Sequence, residues 1–226
     1  MTLDLRSRRG GALVAASVVV VAVVAVVAVF GLVPYPDVPT LADQPDPPVT
    51  GQLAYITYGS SQRQPCLHVV DGLGEDGQLV CGSAYGGALH WIDEGRLGVA
   101  DFRGAAAAIS VIDAATGEVI DTMPEDRDRD EPFPTGVDPE NDDGDVLLIG
   151  EEDDRVWLDA RRADGRTDRL LELEGPASYT LYDAGWTADG RWAVVQDSQQ
   201  RLLVVDAEGT APARVWATDV SSTAVR

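Results

Sequence analysis

The chain has 226 residues, with 38 Asp and Glu against 17 basic residues and a formal net charge of −21. So acidic a polypeptide repels phosphate backbones, which excludes nucleic acid as a partner class, and its charge suits a dispersed, soluble surface or a basic partner. Every basic residue is arginine, and the abundance of Ala, Val, Gly and Asp fits a GC-rich genome such as an actinobacterium's.

Residues 1–9 carry Arg6, Arg8 and Arg9 against Asp4, and no charge follows until Asp37. Gly11 to Val33 is almost wholly Val, Ala, Leu and Gly. At 1.5 Å per residue this run makes about 34 Å of helix, enough to cross a hydrocarbon core. Residues 10–33 therefore read as one transmembrane α-helix and the chain's contact with membrane lipid. With arginines before the span and Asp37, Asp43 and Asp46 after it, the N-terminus stays inside and the bulk lies outside the cytoplasmic membrane. A cleaved signal peptide is the rival reading. Against it, the apolar run is longer than such a region needs, and Val26-Val27-Ala28 is its only passable cleavage site. The span reads as an uncleaved signal anchor.

Pro34, Pro36, Pro39, Pro45, Pro47 and Pro48 make residues 34–50 a stiff linker without helix or strand periodicity. Its expected role is to lift the outer domain off the bilayer.

From residue 51 onward a repeat emerges. Trp91-Ile92-Asp93-Glu94-Gly95-Arg96 leads into the apolar run from Leu97, and Trp186-Thr187-Ala188-Asp189-Gly190-Arg191 leads into the run from Trp192. Weaker copies surround Gly51 and Gly144, so that the turn glycines 51, 95, 144 and 190 lie 44, 49 and 46 residues apart. A second signature keeps the same beat. Apolar runs end on Asp71, Asp113, Asp159 and Asp206, which are 42, 46 and 47 residues apart. Each unit then reads as four short antiparallel strands joined by hairpins, with glycine expected to supply positive φ at the turns. The fold class is all-β, propeller-like, with about four blades over residues 51–226.

The Trp-x-x-(Asp/Glu)-Gly-Arg turn with a Val-Val-Asp strand end resembles the repeats of TolB-like and WD-type β-propellers. The likeness implies a β-propeller that in most members binds other proteins, although some propellers carry enzymes. Such propellers mostly hold six to eight blades, and four copies leave closure of the ring open. The first unit lacks an inner strand, and Thr218–Arg226 is left over, with Val220 and Val225 suited to supplying one. The alternative is a half-propeller completed by another chain. Ser221, Ser222 and Thr223 make the tail a poor strand by composition, which weighs against closure.

Cys66 and Cys81 flank the turn after Asp71 at nearly equal distances, placing them opposite on paired strands, and outside the cytoplasm they should form a disulfide. His68 alternates with Cys66 and Val70 in a strand and His90 precedes Trp91, so both read as packed or hydrogen-bonded strand residues. No nucleophile elbow, carboxylate pair or phosphate loop stands out, so no catalytic residue, cofactor or metal is expected. Counting back from Gly144, a calcium loop would put Pro139 at its first ligand position, so Asp142-Asp143-Gly144 reads as a turn and the acidic run from Glu125 as a solvated loop. Trp91, Gly95, Gly144, Trp186, Asp189 and Gly190 read as structural residues of the repeat turns, with the tryptophans in the core. The expected function is a non-catalytic protein-interaction module displayed to an envelope protein. Its rival is an extracytoplasmic sensor or enzyme with a small ligand at the propeller axis, for which an axial pocket of converging polar side chains would speak.

The topology has a direct test. Protease added to intact spheroplasts should digest the outer domain and leave an N-terminal fragment, and protection of the domain would reverse the orientation.

Overall fold

The computed structural model describes residues 34–40, 52–58, 64–71, 79–85, 87–101, 108–124, 137–209 and 211–225. The expected tail and transmembrane helix, linker residues 41–50 and the acidic run through residue 136 lie outside them. Among the described residues no helix is long and apolar enough to cross a membrane.

The repeat becomes four antiparallel sheets. The first holds β1 (Gln52–Thr57), β2 (Cys66–Asp71) and β3 (Leu79–Cys81). The second holds β4 (Ala88–Asp93), β5 (Arg96–Asp101), β6 (Ala108–Asp113) and β7 (Val119–Pro124). β8 (Val146–Glu152), β9 (Arg155–Arg161) and β10 (Thr167–Glu174) form the third, and β11 (Leu181–Trp186), β12 (Trp192–Asp197), β13 (Leu202–Asp206) and β14 (Arg214–Ala217) the fourth. The final strand, β15 (Val220–Val225), returns to pair antiparallel with β1, which gives the first sheet the order β15-β1-β2-β3.

Burial follows position in these sheets. β9 alternates, with Val156, Leu158 and Ala160 buried between the exposed Arg155 and Arg161. β12 and β13 are buried at every residue, as central strands covered on both faces are. Three apolar clusters join neighbouring sheets. Leu67, Leu89, Leu97 and Ile112 join the first and second, Leu53, Val70, Val194 and Leu202 the fourth and first, and Leu158, Leu181, Val195 and Leu203 the third and fourth. Among the described residues no such cluster joins the second and third sheets. The arrangement is propeller-like and all-β.

Composition pointed away from a strand at the tail, and the structure corrects that expectation. The hydroxyls that argued against β15 have partners. Ser222 Oγ accepts the Leu89 N–H at 2.9 Å, and the Ser221 hydroxyl donates to the Ile56 carbonyl at 3.3 Å. Val220 and Ala224 are fully buried. The third sheet departs from four strands. Among the described residues, only the Glu140↔Val146 bridge and a bond from Leu147 N–H to the Pro139 carbonyl occupy its inner position. Pro139 has no N–H to extend that ladder.

The disulfide is present. Cys66 and Cys81 are register partners in β2 and β3 and are bonded to each other. The linker departs from a free spacer. Val38 is buried in the core of the third and fourth sheets, the Val215 N–H donates to the Pro39 carbonyl at 2.8 Å, and Thr40 bridges Val215 in parallel. Residues 34–40 are a strap on the outer edge of the fourth sheet. Proline spacing signals an extended chain but not what lies beside it.

Deleting residues 220–225 should remove on the order of 5 kcal/mol of burial and pairing, which approaches the whole stability of a typical domain. The truncated protein is expected to aggregate, and unchanged melting would show that β15 contributes nothing. The milder Ser222→Ala leaves the Leu89 N–H without its acceptor, at a cost of about 1–3 kcal/mol read by thermal unfolding.

Candidate functional site

The four sheets converge on a cavity of about 580 Å³. Each sheet lends the end of its inner segment. Val225 comes from β15, Trp91, Ile92 and Asp93 from the end of β4, and Trp186, Thr187 and Ala188 from the end of β11. Asp138, Glu140, Asn141 and Asp142 come from the irregular segment before β8. The lining holds four carboxylates, of which Asp93 is paired with Arg96, and no basic residue, so its field favours a positive group. The indoles of Trp91 and Trp186 complete the lining.

The turns that set these residues are built from their own side chains. In the fourth sheet, Thr187 is buried and its hydroxyl donates to Asp189 Oδ1 at 2.7 Å while accepting the Trp192 N–H at 3.1 Å. Asp189 Oδ1 also accepts the Arg191 N–H, and Gly190 takes φ +65°, where a side chain would be strained. In the second sheet, Asp93 Oδ1 accepts the Gly95 N–H and Asp93 Oδ2 accepts Arg96 Nε at 2.7 Å. Gly95 does not have positive φ, so this carboxylate does at that turn what glycine geometry does at Gly190. In the third, Asn141 Oδ1 accepts the N–H groups of Asp143 and Asp145, and Gly144 has φ +80°. Asp142 and Asp143 form a turn, as their sequence indicates.

Trp186 is held from behind. It is buried, its Nε1–H donates to the Asp145 carbonyl at 3.1 Å, and its backbone N–H donates to the Asp138 carbonyl. A Cβ on Gly185 would come within 2.6 Å of the Val137 Cβ, so glycine is what lets β11 approach this segment. Arg162 then ties the corner together. Its NH1 donates to Asp145 Oδ2 at 2.9 Å, its Nε to Asp168 Oδ2 at 2.8 Å and its NH2 to the Ala207 carbonyl at 2.7 Å, which links the third sheet to the fourth. The Arg162 guanidinium, with the Ala163 N–H, holds the Asp145 carboxyl below the ordinary aspartate range.

Sequence reasoning placed Trp91, Gly95, Gly144, Trp186, Asp189 and Gly190 in repeat turns, and the described structure has them in or beside those turns. It missed that the same beat brings Trp91 and Trp186 from separate sheets to one cavity. Trp186 is core and Trp91 is half-buried against the core, yet both face the opening. It took Asp138 and Glu140 for part of a solvated acidic loop, because they fall in a segment that departs from the repeat. Cys66 and Cys81 lie elsewhere, at the outer edge of the first sheet. His68 stacks on Tyr55 with ring centroids 4.6 Å apart, and its Nε2 lies 3.1 Å from Thr57 Oγ1. His90 packs over Gly98, and neither histidine lines the cavity. Among the described residues no group of three His, Cys, Asp or Glu is placed to hold a metal ion.

No family model matches the chain, and no curated protein matches it. Among solved structures it is similar to a prolyl endopeptidase, at 14% identity and a TM-score of 0.27, over 95% of this chain and 36% of that one. The chain thus spans about a third of that enzyme's length, and a likeness this slight says nothing of activity.

The Arg162 corner yields a pH-dependent expectation. Because the folded Asp145 carboxyl lies below its ordinary range, its contribution is present at neutral pH and is lost as pH falls through the depressed range. Arg162→Ala should cost about 2–3 kcal/mol at neutral pH. The gap in melting temperature from the parent protein should narrow on acidification, and a gap independent of pH would break the link to Asp145.

Proposed function

We propose that the chain is a membrane-anchored β-propeller, of the TolB-like or WD type, that works outside the cytoplasmic membrane as a non-catalytic protein-interaction module. The observation that carries this reading is the acidic cavity where the four sheets meet, which offers Asp138, Glu140 and Asp142 beside two indoles to a positively charged group. A basic side chain of an envelope protein, presented on a loop, suits that chemistry. The arginine-first N-terminus and the apolar run supply the anchor and its orientation. The strap on the fourth sheet supports a domain held close to its anchor rather than on a long free spacer.

A second reading has support of its own. The cavity is in the size range of small-molecule sites and is lined by converging polar groups, so an extracytoplasmic sensor of a small organic cation fits it as well.

Photo-crosslinking in native membranes separates the two. A photoreactive residue replacing Ala188, at the cavity, should capture one envelope protein, and Glu140→Gln with Asp138→Asn should abolish that capture. Absence of a charge-dependent protein adduct, together with a melting temperature raised by millimolar spermidine, would decide for the small-cation reading.

A further inference from the structure

Each sheet of this fold ends on an outer strand whose free edge is open to pairing, and folded proteins usually protect such edges. Three of the four are protected here by different means. β3 is only three residues long and is stapled to β2 by Cys66–Cys81. β10 has charge at four of its eight residues, Asp168, Arg169, Glu172 and Glu174. β14 is covered by the strap through Pro39 and Thr40.

Among the described residues β7 has neither staple nor strap, and its six residues carry a single charge, Asp121, ahead of Pro124. Among the described residues it pairs only with β6. Its apolar residues Val119, Ile120 and Met123 are 44, 52 and 38% exposed, and they sit on both faces of the strand. The Thr122 N–H donates at 2.7 Å to the carboxylate of Asp121 next to it, so this donor bonds a side chain where a neighbouring strand would offer a carbonyl. A bulge at Ile120 interrupts the ladder with β6, and among the described residues the other side of β7 pairs with no strand.

We propose that β7 is a docking edge, and that its occupant is an extended, positively charged segment of a protein partner, added to the second sheet as a fifth strand. The charge around the edge selects that occupant. Glu118 and Asp121 are exposed carboxylates, one before β7 and one in its middle. A second copy would bring like charges together across the new ladder, on chains of formal charge −21 each. A basic strand gains from the same field. Its alternate side chains would cover Met123 on one face and Val119 on the other, while its main-chain groups take the open edge. This rests on the reading of the domain as a protein-binding module but not on the axial cavity.

The test uses the full chain in neutral detergent micelles and two blocked peptides. Each alternates threonine and valine over six residues, one flanked by arginines and the other by glutamates. The arginine-flanked peptide should bind by calorimetry and slow amide exchange across residues 119–124, and the glutamate-flanked one should not bind. Ile120→Lys and Thr122→Pro, both at exposed edge positions, should each weaken binding at least about tenfold while leaving the melting temperature near that of the parent. Failure of the arginine peptide to bind, or its undiminished binding to both edge variants, overturns the proposal. Loss of binding in Glu140→Gln with the edge variants intact moves the site to the cavity, which ends this proposal and leaves the binding module standing. A peptide-free dimer that Ile120→Lys dissociates shows the edge to be taken by a second copy, and likewise overturns it.

Discussion

Asp197 has no exposed surface, and the turn it organises between β12 and β13 is the point at which three separate parts of the fold are fastened. One carboxylate oxygen accepts the backbone N–H groups of Gln199 and Arg201, and the other accepts Arg201 Nε and the Tyr179 hydroxyl. A buried carboxylate is costly unless its lone pairs are filled, and here they are filled with excellent geometry by a cation and three neutral donors. The Tyr179 phenol pays for its burial in its titration, which is pushed well above the ordinary tyrosine range, first by desolvation and then by Asp197. Arg201 continues outward and donates from NH1 to the Pro36 carbonyl, which fixes the strap. Gln200, at the tip of the same turn, accepts the Val220 N–H, which fixes the start of β15. The fully buried Gln196 donates from Nε2 to the Val220 carbonyl. Strap, fourth sheet and closing strand thus depend on one turn.

This dependence explains how a tail rich in serine and threonine becomes a strand. Strand propensity describes a residue on an average pleated surface, and β15 does not lie on one. Its first residue is held by Gln196 and Gln200, its serines bond Leu89 and Ile56, and Val220 and Ala224 fill fully buried positions. The partners come from three different sheets. No window of sequence contains them together.

What the sequence does make legible is whatever repeats locally. The unit length follows from two signatures in phase, and the Cys66–Cys81 pairing follows from symmetric placement about one hairpin. The strap is illegible because its prolines describe a backbone shape, whereas its position depends on Val38 finding the core and on β14 offering an edge. The irregular inner segment of the third sheet escapes for the opposite reason. It breaks the pattern that reveals its neighbours, and its Asp138 and Glu140 become meaningful only when Trp91 and Trp186 are seen beside them.

Two surfaces then follow from how the four sheets are finished. At the inner ends, tight turns are stabilised by their own carboxylates and amides, and the irregular segment before β8 adds Asp138, Glu140 and Asp142 around one opening. At the outer ends the sheets share no common device. One edge is stapled, one is charged, one is strapped, and β7 keeps its apolar side chains in solvent. An acidic field surrounds both the opening and this bare edge, so the same electrostatics would steer a basic partner toward either. They differ in what holds the partner after arrival. The cavity offers carboxylates to a single side chain, while β7 offers a ladder to a stretch of backbone. A partner with an extended basic segment would engage the edge along its whole length, and a partner with one protruding cation would engage only the cavity.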